Sequence, residues 1–236
     1  MSKYSKTVYK TILTLIILCS TILPSKAFWL LGFSNAYTLP PACIGFIGGT
    51  GGQLTDVGNP GLLSYTPFLA HAGIRVGLSK RIDWGYRLCT VAMPYSSAGP
   101  SLGAETDVKI RITPDSSKWQ AAVVAGAGYS YLYLLGETRN AWAPGVALIA
   151  SRALSSRVML SLNARYVFTG ITSAPGGELK NNLTAMGGSV NIGIKINKTT
   201  TIVPEMGLFD FSGNIGGKQM NGTGFQYGCI IAARIN

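Results

Sequence analysis

The chain has 236 residues, of which 12 % are charged and 47 % are hydrophobic, and its formal net charge is +11. Soluble domains carry roughly 25 % charged residues, so this composition argues against an ordinary soluble domain. The apolar content also argues against disorder. The basic residues are dispersed along the chain, and we therefore expect no nucleic-acid partner, because such a partner requires a basic patch.

The N-terminus has the pattern of a secretory signal peptide. A lysine-rich start precedes the apolar run TILTLIILCSTIL at 11–23, and a small-x-small motif follows at 25–27, as at signal-peptidase sites. A second such motif lies at 34–36. We predict a signal peptide over 1–27, with residue 36 as an alternative end, and an N-terminal periplasmic segment over 28–42. An uncleaved anchor is the other alternative, although the apolar run is short for a helical span of about 20 residues.

After this segment the sequence alternates between apolar and polar residues, which is the pattern of strands with two different faces. Between 157 and 170, for example, Leu160 and Leu162 alternate with Ser161 and Asn163. Ten segments with this pattern are predicted to be strands, and they lie near residues 43–52, 65–79, 83–94, 101–113, 118–135, 141–154, 156–170, 184–197, 199–212 and 222–235.

The connections between the predicted strands alternate in length. Short turns such as SKRID and NKTT alternate with longer connections at 52–64, 95–100, 171–183 and 213–221, while the link at 136–140 is shorter. Short turns on one rim and longer loops on the other are typical of outer-membrane barrels. We therefore predict an all-β fold, a single antiparallel transmembrane β-barrel over 43–236 with ten strands, eight or twelve being the alternatives. An even strand number places both termini on the periplasmic, short-turn side.

Aromatic residues concentrate near the ends of the predicted strands. In membrane barrels, aromatic girdles at both rims mark the two interfaces with water. The predicted girdle residues are Trp84, Trp119, Tyr131, Tyr133, Trp142, Tyr166, Phe168, Phe225 and Tyr227. The alternative explanation is that aromatic residues simply favour strands.

The signal peptide, the ten alternating segments, the connection lengths and the aromatic strand ends resemble the small outer-membrane β-barrel proteins of Gram-negative bacteria. The resemblance covers essentially all of the chain after the signal peptide, and it is one of fold, with no specific subfamily. It implies a bacterial outer-membrane localisation, with the lipid bilayer and the outer-membrane assembly machinery as partners. One departure is the last residue, Asn236, because such barrels usually end in an aromatic residue. A soluble secreted β-sandwich is the rival fold, since it would show the same alternation with its apolar face buried.

The inward face of the predicted barrel carries glycines and a set of polar side chains. These candidate lumen residues are His71, Arg75, Arg87, Glu105, Asp107, Lys109, Arg111, Asn163, Arg165, Asn191, Lys195, Glu205 and Arg234. Folding the hairpins about their turns predicts that Arg75 lies opposite Arg87 and that Asn191 lies opposite Glu205. Two interpretations are open. The set is either a closed polar core of paired charges or a narrow aqueous path, which an excess of basic residues would make favourable for anions.

No enzyme signature accompanies this set. The chain holds a single histidine, His71, and no CxxC motif, so we predict neither a metal nor a cofactor. It also lacks the GxSxG motif of serine hydrolases. We predict a non-catalytic, porin-like protein of the cell envelope that forms a narrow channel for small anionic solutes. A structural or surface-interaction protein with a closed polar core is the alternative, and a lipid-modifying outer-membrane enzyme is a more distant one.

Overall fold

The computed structural model describes residues 31–57, 66–92, 101–134, 137–172 and 181–235, and within them the fold is all-β. The strands are β1 (Ile44–Val57), β2 (Thr66–Gly77), β3 (Ile82–Ala92), β4 (Ser101–Arg111), β5 (Gln120–Leu134), β6 (Glu137–Ala153), β7 (Val158–Ile171), β8 (Asn181–Lys195), β9 (Thr200–Ile215) and β10 (Lys218–Ile235). The described residues include no helix that is long and apolar enough to cross a membrane. The predicted signal peptide, residues 1–27, lies outside the described residues.

The ten strands form one closed antiparallel barrel. Each strand pairs with its neighbours in the chain, and β1 closes the sheet by pairing with β10, so that Ile44 faces Ile235 and Gln53 faces Gln226. Closure leaves no free strand edge, and this matters because unpaired backbone groups are costly in lipid. The structure confirms the predicted ten-stranded barrel, and the single closed sheet excludes a sandwich of two separate sheets.

The turns of the barrel separate into two rims. The short-turn rim is formed by residues 78–81, 112–119, 154–157 and 196–199, and β1 begins and β10 ends there. At the opposite rim, called the loop rim below, β1, β3, β5, β7 and β9 end and the strands that follow them begin, and the turn at 216–217 lies there. The alternation of rims along the chain is as predicted, and it follows from the antiparallel pairing of consecutive strands. The even number of strands places the start of β1 and the end of β10 at the same rim.

One predicted loop is wrong. β9 runs on to Ile215 and β10 starts at Lys218, so the expected loop at 213–221 is reduced to a two-residue turn. Gly216 and Gly217 adopt φ angles of 61° and 77° there. Tight two-residue hairpin turns require this left-handed backbone, and glycine adopts it without a steric cost. The two glycines therefore indicate a tight turn rather than an open loop.

The two faces of the barrel differ in chemistry as the alternation predicted. On β7, Leu162 and Tyr166 are 46 % and 44 % exposed on the outer face, whereas Ser161 and Thr169 are buried inside. Within the described strands, the charged residues at outward positions are confined to Asp56, Arg152 and Asp210. The outer face is therefore an apolar belt, and most strand charges point into the lumen.

The chain before β1 runs inside the barrel. Residues 31–39 are called the inner segment below; Leu31 and Ala36 are fully buried and Phe33 is 6 % exposed. The chain leaves the lumen at the short-turn rim, where the Ala42 amide donates to the Gly77 carbonyl at 2.9 Å. The pattern of the N-terminus predicts a periplasmic segment over 28–42, whereas the structure places residues 31–39 of that range within the lumen. It lies there because inward-facing side chains of the barrel pair with its amides and carbonyls.

Candidate functional site in the barrel lumen

The candidate lumen residues all occupy strand positions that alternate with the apolar outer face. Six of them are buried, namely His71, Arg87, Lys109, Arg111, Asn191 and Glu205. Arg111 pairs with exposed Asp115 at the short-turn rim, and Lys195 is exposed at the same rim. The Asn163 Nδ2 atom is buried without a hydrogen-bond partner. The set is therefore shared between the interior of the barrel and its short-turn mouth.

Paired charges link β2, β3 and β4. Arg75 donates to Asp83 and, at 2.5 and 2.8 Å, to the two carboxylate oxygens of Asp107. Lys109 Nζ lies 3.2 Å from the other Asp83 oxygen. Such pairing is what makes the burial of these charges tolerable. Asp83 was missed by the sequence analysis, although its position two residues before Gly85, on the inward side of β3, was a usable signal.

Arg87 makes the second link, to Glu105, with Nε 3.1 Å from the carboxylate. The predicted opposition of Arg75 and Arg87 is wrong, because Arg75 pairs across with Gly85 and Arg87 with Gly73. Register in a hairpin depends on the turn geometry. The β2–β3 turn is centred one residue earlier than predicted, and this shifts every opposing residue by two.

A second polar cluster surrounds Glu205 on β9, which is 3 % exposed. Its carboxylate accepts from Ser189 Oγ at 2.5 Å and from Asn191 Nδ2 at 3.3 Å. Asn191 lies directly opposite Glu205, and this confirms the predicted pair. The described residues place no Lys or Arg nitrogen within ion-pair distance of Glu205. Its remaining acceptor capacity is taken by the inner segment.

The inner segment is held by hydrogen bonds to its main chain. The barrel side chains that make them come from β3, β4, β6, β8 and β9. The bonds join Arg87 to the Leu31 carbonyl (2.9 Å), the Gly32 and Phe33 amides to Glu205 (3.4 and 2.5 Å), Asn191 to the Ser34 carbonyl (3.0 Å), Lys109 to the Asn35 and Tyr37 carbonyls (3.1 and 2.6 Å), the Ala36 amide to Ser151 (2.9 Å) and the Leu39 amide to Asp83 (3.2 Å).

An apolar cluster fills the other half of the lumen along β6 to β10 and the end of β1. Leu31 and Phe33 of the inner segment pack in it against inward side chains of the barrel. Those side chains are Val57, Ala141, Ile171, Leu183, Ala185, Val203, Phe209, Phe211, Ile215, Met220 and Ile230. None of them was a predicted lumen residue, because the sequence analysis expected a polar interior throughout. The signal was the presence of large apolar residues on the polar face of β9.

A cavity of about 670 Å³ runs beside the inner segment. It extends from Lys198 at the short-turn rim to Gly103 and Ser130, which pair across β4 and β5 near the loop rim. Eight cationic side chains line it, against two carboxylates, Glu105 and Asp107. Five of these cations have no carboxylate within 4.0 Å among the described residues, and they are Arg157, Arg165, Lys195, Lys198 and Arg234. The cavity wall therefore carries an excess of positive charge.

The predicted girdle residues with described side chains lie on the outer face. Those with the greatest exposure are Trp119, Tyr131, Trp142, Tyr166 and Tyr227. The others contact aromatic neighbours, with Trp84 beside Tyr86, Phe168 beside Trp142 and Phe225 beside Tyr227. The side chain of Tyr133 lies outside the described part of the chain. Their role at a membrane interface stays a prediction.

Comparisons with known proteins support the architecture. No protein-family model and no curated protein matches the chain. Among solved structures, the outer membrane protease OmpT from Escherichia coli is similar, with a TM-score of 0.51 and 11 % identity over 85 % of this chain and 100 % of that one. OprG from Pseudomonas aeruginosa gives a TM-score of 0.35 and 9 % identity over 86 % and 100 % of the two chains. The N-terminal barrel of OprF from the same species gives 0.33 and 7 % over 81 % and 99 %.

The fold is thus that of the outer-membrane β-barrel proteins, and the chain resembles this class without an evident subfamily. The identity with OmpT is low enough that the likeness concerns the fold alone. Any specific activity must be argued from the lumen, because a fold does not determine what its site does.

Proposed function

We propose that the protein is a non-catalytic barrel of a bacterial outer membrane that gives small anions a narrow path beside its inner segment. The observation that carries this proposal is the cavity, whose wall has eight cationic side chains against two carboxylates. Rings of basic side chains favour anions in a pore. A cleft lined by one sign of charge and surrounded by low-dielectric walls also concentrates counter-ions.

The shape of the lumen supports the same proposal. The inner segment leans towards β2 to β4 near the short-turn rim, where Thr38 donates to the Lys80 carbonyl at 2.8 Å. Three of the inward positions of β4 and β5 that border the cavity are glycines, namely Gly103, Gly126 and Gly128. Because these positions carry no side chain, space remains between the inner segment and that wall.

Planar bilayer recordings of the purified, folded protein test this function. We expect small conductances with a preference for anions. The preference should weaken at 1 M salt, where the Debye length falls to about 3 Å. The double change Lys195→Gln and Arg234→Gln should reduce the preference, because both residues line the cavity without a carboxylate partner. Lys118→Gln is the matched control, since Lys118 is an exposed lysine at the same rim that does not line the cavity.

A structural or surface-interaction protein with a closed core is the second candidate. It is favoured by the inner segment and the apolar cluster, which together fill much of the lumen. Electrical silence of correctly folded protein would contradict the channel proposal and favour this second candidate. A variant that begins at Tyr37, the chain produced by the alternative cleavage after residue 36, lacks the buried part of the inner segment. A silent full-length protein together with a conducting Tyr37 variant would assign the block to this segment.

The absence of catalysis is part of the proposal. His71 is 6 % exposed and its ring stacks on Phe33 with centroids 5.0 Å apart. Its ring face is therefore covered by the protein itself. We expect His71→Gln to leave the lipid composition of an expressing cell unchanged, as measured by mass spectrometry of extracted lipid A. A change in acylation that follows this substitution would favour the enzyme alternative.

A further inference from the structure

The polar contacts between the barrel and the inner segment have one property in common. The hydrogen bonds described above between barrel side chains and residues 31–39 all go to main-chain amides or carbonyls of the segment. The side chains of Ser34 and Asn35 instead bond within the segment, Ser34 Oγ to the Asn35 carbonyl and Asn35 Oδ1 to the Tyr37 amide. Main-chain recognition gives affinity for a backbone whatever its sequence, and pockets for particular side chains add specificity.

The pockets along the inner segment define which side chains fit. Leu31 and Phe33 enter the apolar cluster, and Ala36 is fully buried beside Ser151. A Cβ atom at Gly32 would lie 2.8 Å from an Arg165 guanidinium nitrogen, so a small residue is favoured there. The pattern read by the barrel is therefore apolar, small, apolar, two unrestricted positions, and small.

Phe33 shows that the barrel dictates the conformation of what it holds. Its φ angle is 46°, a left-handed backbone that is uncommon for a residue with a side chain. The Phe33 amide donates to Glu205 at 2.5 Å, and the Phe33 ring stacks on His71. Residues persist in such sparsely populated conformations when their surroundings over-determine them. The Glu205 carboxylate and the His71 imidazole thus together hold Phe33 in this strained conformation.

We propose that the barrel lumen is a binding site for a non-helical peptide, and that residues 31–39 occupy it as an intramolecular ligand. The ligand is a peptide with apolar residues at its first and third positions and small residues at its second and sixth positions. Glu205, Asn191, Lys109 and Arg87 are the residues that bind its main chain. Arg87, Lys109 and Asn191 also line the cavity beside the segment, so the peptide site and the proposed anion path share part of one wall.

The test uses the full chain with a specific protease site inserted between Pro41 and Ala42, both of which are exposed. After folding in a zwitterionic detergent, cleavage turns the inner segment into a separate peptide. A fluorescent synthetic peptide of residues 31–41 is then added to the cleaved, folded barrel, and its binding is followed by fluorescence anisotropy. In a second experiment the cleaved barrel is refolded in the presence of an excess of the same peptide. We expect saturable binding. Heat-modifiable gel mobility reports in parallel whether the barrel stays folded.

Two comparisons separate main-chain recognition from simple packing. An ester bond in place of the Phe33 amide removes the N–H that Glu205 accepts, and we expect affinity to fall at least tenfold. An ester at Ser34, whose amide makes no hydrogen bond among the described residues, should change affinity less than threefold. In the barrel, Glu205→Gln with Lys109→Met should weaken binding at least tenfold. Asp115→Asn with Lys118→Met makes the same change of charge outside the lumen and should not weaken it.

Several results overturn the proposal. They are a folded, cleaved barrel that binds no peptide, a barrel that unfolds when the segment is cut, a segment that excludes the labelled peptide even on refolding, and equal effects of the two esters. The measurement is peptide binding in detergent, so its outcome is independent of whether the protein conducts ions.

Discussion

A leucine-to-arginine pair tests whether the outer face contacts lipid. Leu148 on β6 and Leu78 on the short-turn rim are both 59 % exposed, so a soluble protein would treat the two substitutions alike. Leu148 lies five residues before Ala153, where β6 ends at the short-turn rim. Five residues at about 3.4 Å each, on a strand tilted by roughly 40°, place it about 13 Å from that rim. This is the middle of an apolar band about 25 Å tall.

At that depth an arginine should destabilise the barrel by about 2–4 kcal/mol, whereas at an interface the cost should be about 0–1 kcal/mol. We therefore expect Leu148→Arg to be much more costly than Leu78→Arg. The measurement is reversible denaturant unfolding in phospholipid vesicles, followed by tryptophan fluorescence. Equal free energies of unfolding for the two variants, within about 0.5 kcal/mol, would refute the membrane-spanning placement of β6.

Three further substitutions test the lumen and the backbone. Arg75→Met leaves Asp83 and Asp107 without their shared partner and should lower the free energy of unfolding by about 3 kcal/mol. Arg81→Met, at an exposed arginine of the short-turn rim, should change it by no more than about 0.5 kcal/mol. Equal losses for the two variants would contradict the paired-charge network. Ala42→Gly should stabilise the barrel by about 0.5–1 kcal/mol in the same unfolding assay, because Ala42 has a φ of 63° that glycine adopts without strain, and a loss of stability would refute that backbone assignment. Gly187→Ala should destabilise the barrel by about 1–3 kcal/mol, because the new Cβ would lie 2.1 Å from the Leu208 carbonyl oxygen. Gly48→Ala, whose new Cβ would have its nearest atom at 3.9 Å, should leave the stability nearly unchanged. A neutral result for both variants would mean that the β8–β9 packing is looser than described.

The sequence determined the fold class because local alternation and turn chemistry carry the information that a barrel requires. Each strand of β1 to β10 shows its own period of two, and closure follows from the need to pair every backbone group in lipid. The opposition of Asn191 and Glu205 could also be predicted, because the centre of the β8–β9 turn was placed correctly. The pair Arg75 and Arg87 could not, since an error of one residue in the position of a turn moves the opposing residue by two.

The contents of the lumen were decided only by the tertiary structure. Residues 31–39 show no period of two, and their small-x-small motif at 34–36 indicates signal cleavage, so the sequence offered no sign that they enter the barrel. Their place depends on groups that are far apart in the chain, such as Glu205, which accepts the Phe33 amide across 172 positions. The same holds for Asp83 and for the apolar side chains of β9, whose partners meet only once the sheet has closed. Alternation along a strand reports which face a residue takes, but what fills the space behind that face depends on all ten strands together.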